Sequence, residues 1–132
     1  MKKFFTGVQH IAVKAPGYEA YLKAFDFYKD ILGFDLIRQW GEGDSSYAML
    51  DIGGVLIELS ADGAGLDSDG PVHHFALALE DVDGAIAYMR ENGVEVFMEP
   101  KDIVIQSDPV YPARIAFIIG PAGEKIEFFH VK

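Results

Sequence analysis

The order strand, helix, strand, strand, strand is written twice along this chain of 132 residues, and that repetition constrains the fold more than any single motif. "QHIAVK" alternates as a strand does, with Ile11 and Val13 on one face and His10 and Ala12 on the other. From Tyr18 to Leu32 the apolar positions Tyr18, Tyr21, Leu22, Phe25, Tyr28, Ile31 and Leu32 recur at helical spacing, and Gly33 stands where a C-terminal cap belongs. "FDLIRQW", "YAMLDI" and "VLIELS" then read as strands separated by "GEGDSS" and "GG" turns. "ADGAGLDSDGP", residues 61–71, has little to bury and reads as a linker. After it the order returns: "HHFALAL" as strand, "DVDGAIAYMRENG" as a helix ending at Gly93, "VEVFME" as strand, a polar stretch with Asp108, Pro109 and Pro112, "RIAFIIG" as strand, and "KIEFFHV" as the closing strand. Prolines make the third strand of this half the weakest expectation.

The repeat predicts an α+β fold of two tandem βαβββ modules, about residues 7–60 and 72–131, within a single domain spanning 1–132. A sheet face that one copy cannot bury alone requires a partner copy, so the core is expected between repeats. A chain of this length is too short for two independent domains.

Superposing the halves aligns His10 with His74, each followed by an apolar residue and then alanine, "HIA" and "HFA". The last strands align Glu58 of "LIELS" with Glu127 of "KIEFF". Period two places Val55, Ile57 and Leu59 on one face and Glu58 on the other, and Ile126 with Phe128 sends Glu127 the same way. If the apolar faces pack on helices, all four donors face a common concavity. Carboxylates in such a place are costly unless paired, and a divalent cation offsets the cost. Two imidazoles and two carboxylates suit one Zn, Ni, Co, Mn or Fe ion with positions left open for substrate.

His73 is out of phase with His74 and is expected to point away from the donors. His130, near the chain end, reads as a surface residue. Phe25, Tyr28, Phe75, Phe97, Phe117 and Phe128 follow element periodicity and read as core.

Charge and composition exclude other classes of function. Eleven basic residues against 21 acidic ones give a net charge of −10, which repels nucleic acid and anionic membranes. No apolar run approaches the roughly 20 residues of a membrane span. With no cysteine and no secretory leader in "MKKFFTGVQHIAVKAPG", a cytoplasmic location is expected, without disulfide or thiolate chemistry.

The segments "HIAV", "FYKDILGF", "IELS", "HFALALEDVDGAIAYMRENGVEV" and "PAGEKIEFF" together resemble the vicinal oxygen chelate superfamily, within it the glyoxalase I and bleomycin-resistance group. The resemblance implies a half-open barrel and a homodimer. It implies His10, Glu58, His74 and Glu127 as metal ligands and a small-molecule substrate with adjacent oxygens. For a glyoxalase-type lyase or isomerase it further implies proton transfer by a glutamate, Glu127 first and Glu58 second. Asp30 stands where glyoxalase I usually has a basic residue for glutathione, and Asp62 replaces a frequent asparagine, which argues against glutathione as cosubstrate. Two alternatives accompany that reading. One is a metal-free ligand-binding protein of bleomycin-resistance type. The other is an extradiol-type dioxygenase using two histidines and one glutamate on Fe(II).

Overall fold

A computed structural model describes residues 10–63, 74–105 and 109–132. The chain divides into two compact units, Met1–Asp67 and Ser68–Lys132. In the first, β1 (His10–Lys14) is followed by α1 (Tyr18–Asp26), β2 (Asp35–Trp40), β3 (Tyr47–Asp51) and β4 (Leu56–Ser60). In the second, β5 (His74–Ala78) is followed by α2 (Val82–Glu91), β6 (Glu95–Ile105), β7 (Tyr111–Ile119) and β8 (Lys125–Val131). The expected module is therefore present twice, in an α+β chain.

Each unit forms one mixed four-stranded sheet, ordered β1-β4-β3-β2 in the first and β5-β8-β7-β6 in the second. The first strand of each module lies parallel to the last, and the other pairs are antiparallel. A parallel pair needs a long crossover, and the helix and two strands between β1 and β4 supply it.

Each unit also has a core of its own. Val13, Ala48, Leu50, Ile57 and Leu59 are buried together with Tyr21, Ala24 and Tyr28 of the helical segment. In the second unit Phe75, Ala116, Ile118, Ile126 and Phe128 are buried with Val82, Ile86 and Met89 of α2. The helix each module carries is enough to cover one face of its sheet.

Four local differences from the sequence expectation have physical causes. The first helix is α-helical only to Asp26 and then widens into a π-helical turn over Phe27–Ile31, where the Leu32 amide donates to the Phe27 carbonyl at 2.9 Å. That turn seats Tyr28 edge-on to Phe27 and stacked on Phe34. The polar stretch after "VEVFME" is largely strand: β6 continues to Ile105 and pairs with β7 from Tyr111 onward. Pro100 is tolerated because β6 is an edge strand and its register shifts between Met98 and Lys101. Phe97 is 57% exposed rather than core, as the residue left out of register between Val96 and Met98, while Phe25 and Phe117 are half-buried. His130 is half-buried, with Nδ1 3.1 Å from the Leu79 carbonyl oxygen, because it shares the parity of buried Phe128.

Candidate functional site

Strand register brings the predicted donors together two by two. In the first unit Ala12 pairs with Glu58, and His10 pairs with Leu56, two residues earlier on β4. In the second, Ala76 pairs with Glu127 and His74 with Lys125. Each histidine is thus the diagonal neighbour of its glutamate, on the sheet face opposite to the buried Ile57 and Leu59, or Ile126 and Phe128. The alanine directly across from each carboxylate leaves room for the imidazole to lean over it.

The side chains take up that geometry. His10 Nε2 lies 3.8 Å from Glu58 Oε2, and His74 Nε2 lies 3.2 Å from Glu127 Oε2. Both imidazoles are 37% exposed, whereas the Glu127 side chain is 12% exposed and that of Glu58 is 23% exposed. His74 also meets the Phe117 ring edge-on, with centroids 5.3 Å apart, so the second pair is the drier of the two. His73 lies outside the described residues.

The donor chemistry suits a divalent metal, but two donors in one unit are fewer than the three protein ligands a catalytic zinc site uses. Among the described residues no group of three or more His, Asp or Glu is placed to hold a metal ion.

The donor face of the first unit continues into a polar network that sequence reasoning did not single out. Asp62 accepts hydrogen bonds from Lys14 Nζ at 2.9 Å, Ser60 Oγ at 2.7 Å and Tyr47 Oη at 2.6 Å. Those bonds, Tyr47's foremost, hold the Asp62 carboxyl far below the usual carboxylate range, and the same hydrogen bonds to Asp62 raise the Lys14 ammonium and the Tyr47 phenol. Trp40 stacks on Tyr47, centroids 5.2 Å apart and 7° from parallel. The available signal was a pair of aromatic residues flanking "GEGDSS", which pair across β2 and β3. A cavity of about 300 Å³ opens between β2 and α1, lined by Tyr18, Tyr21, Leu22, Phe25 and Gln39 among others.

The family profile described as the Glyoxalase/Bleomycin resistance protein/Dioxygenase superfamily matches residues 7–128. The chain belongs to that superfamily. Solved members share the fold at low identity. TnmS3, an antibiotic binding protein from Streptomyces sp. CB03234, is 23% identical with a TM-score of 0.76, covering 99% of this chain and 100% of that one. A lactoylglutathione lyase from Agrobacterium tumefaciens is 17% identical with a TM-score of 0.69, covering 97% and 96%. A glyoxalase/bleomycin resistance protein/dioxygenase from Alicyclobacillus acidocaldarius is 20% identical with a TM-score of 0.69, covering 95% and 91%. No functionally curated protein matches the sequence. Among the described residues, no helix of this superfamily member is long and apolar enough to cross a membrane.

Proposed function

We propose that this superfamily member binds a small molecule on the His–Glu faces of its sheets, in the manner of the bleomycin-resistance group. The observation that carries this reading is the recurrence of one imidazole–carboxylate pair at one register in both units. Two independent surface pairs have no reason to repeat the register, whereas a ligand-holding face does. The aromatic surfaces beside the pairs, Trp40 on Tyr47 and Phe117 against His74, offer apolar contact next to a few polar groups, the usual makeup of a ligand pocket. The full-length likeness to TnmS3, named as an antibiotic binding protein, supports the same reading. A thermal-shift screen on metal-stripped protein tests it: compounds that bind raise the melting temperature, and the rise disappears in Glu58→Gln or Glu127→Gln. Stabilisation only after a divalent metal is added would overturn the metal-free reading.

The type of donor favours a second reading, a metal-dependent lyase or isomerase of glyoxalase type. His10, Glu58, His74 and Glu127 would then hold one ion between them, and the ion would supply polarisation of a chelated carbonyl. Glu127, the less exposed carboxylate, would move the proton beside that carbonyl. Elemental analysis of protein purified without added metal separates the two readings. About one Zn, Ni, Co, Mn or Fe per chain, lost in His74→Ala and kept in His73→Ala, supports the enzyme; no retention even after metal addition supports the binding protein. The homodimer belongs to both readings and is checked by light scattering.

A further inference from the structure

We propose that Arg38 is the anion-recognising residue of the donor face in the first unit, so that the small molecule bound there carries a carboxylate. The inference rests on the reading of that face as a ligand site and names the class of ligand.

A bulge decides where Arg38 points. Leu36 pairs with Leu50 on the helix-covered side of the sheet. Simple alternation from there would set Ile37 against Met49 and Arg38 against Ala48, which is fully buried. Instead Ile37 is the extra residue and Arg38 pairs with Met49. Arg38 therefore joins the cross-strand row Arg38, Met49, Glu58, Ala12. Bulges that re-aim a side chain are frequent beside functional sites.

The second unit supplies an internal comparison. β6 shifts at the matching point, with Phe97 as the extra residue, and the corresponding row reads Met98, Phe117, Glu127, Ala76. The bulge thus serves the fold in both units without an arginine in the second, and a cation occupies only one of two otherwise matching rows.

Charge pairing points the same way. Of the three arginines, Arg90 is engaged by Glu99, and Arg114 by Asp83 and Asp102. Arg38, among the described residues, has no carboxylate partner; its Nη1 rests 3.2 Å from Met49 Sδ, a weak acceptor. In a chain with 21 acidic residues, a guanidinium beside a thioether keeps its planar fork available for a bidentate carboxylate. Two strand spacings, about 9.5 Å, separate the Arg38 and Glu58 backbones, a span that one small molecule bridges. Trp40, two residues further on the same face and stacked on Tyr47, offers a flat apolar surface beside it.

Trp40 is the only tryptophan in the chain, so its fluorescence reports on this face. The probes are 4-methyl-2-oxopentanoate and its methyl ester, which share an apolar body and adjacent oxygens but differ in charge, with calorimetry as a second readout. The wild type is expected to bind the acid at least about tenfold more tightly than the ester, the range of a charge-assisted pair. Arg38→Gln should abolish that preference and leave ester affinity unchanged, and Arg38→Lys should keep part of it. Equal binding of acid and ester by the wild type, lost in Glu58→Gln, would overturn the role of Arg38 while leaving the face a ligand site. Retention of the full preference in Arg38→Gln would overturn that role as well. Binding of neither probe by either readout would overturn the carboxylate class together with the reading on which it rests.

Discussion

Asp62 gathers three hydrogen bonds on the donor face of the first unit. Its carboxylate holds Lys14, Ser60 and Tyr47 at once, tying the ends of β1, β3 and β4 together. Because the folded state lowers its pKa, its contribution to stability is present above the unfolded value, about pH 4, and is lost as pH falls through the folded value. Asp62→Asn should therefore melt a few degrees below the wild type at pH 7, with the gap closing progressively below about pH 4 in thermal scans by circular dichroism. A gap of constant size down to pH 2 would show that the charge is not the cause. Gly41 gives a second residue-scale expectation. Its φ is +78°, and a β-carbon added there would overlap the Ser45 carbonyl oxygen, in backbone that holds Trp40 and Tyr47 in stacking distance. Gly53 also has positive φ, +100°, but open space around it. Gly41→Ala should cost about 2 kcal/mol or more, clearly beyond Gly53→Ala, in urea unfolding.

Among the elements, α2 shows how local sequence sets a boundary. The Asp81 side chain accepts from the Gly84 amide at 2.9 Å and caps the helix, while Gly93, at φ +72°, follows its end. Asp81→Ala should destabilise the protein by about 1 kcal/mol, measured by chemical denaturation. Caps of this kind were readable, since Asp and Gly bracket the apolar periodicity of "VDGAIAYMRE". The bulge in β2 was not. Nothing in "FDLIRQW" distinguishes Ile37 as the unpaired residue, because a bulge is a property of two strands and only β3 reveals it. Ile37 is 46% exposed, so Ile37→Ala should change stability by no more than about 0.5 kcal/mol. Deleting Ile37 should remove the bulge and leave Arg38 opposite Met49 in a regular ladder, so the Trp40 fluorescence of the native state should be kept.

Across the whole molecule, a net charge of −10 sets a self-repulsion that exposed ion pairs such as Lys23 with Glu19 do little to relieve. Raising NaCl from about 10 to 200 mM should therefore raise the melting temperature by a few degrees, as screening weakens repulsion more than it weakens those pairs. The doubled βαβββ order, the two helices and the shared face of each His–Glu pair were determined by the sequence alone. Period two and period 3.6 are written into the spacing of apolar residues, and each half repeats them. The tertiary structure decided what spacing does not encode. It placed a core under each helix, carried β6 through Pro100 to Ile105, left Phe97 exposed and turned Arg38 onto the face of Glu58. Those outcomes depend on which residue of a neighbouring strand stands opposite, and a one-residue slip in pairing reverses the side on which every later side chain lies.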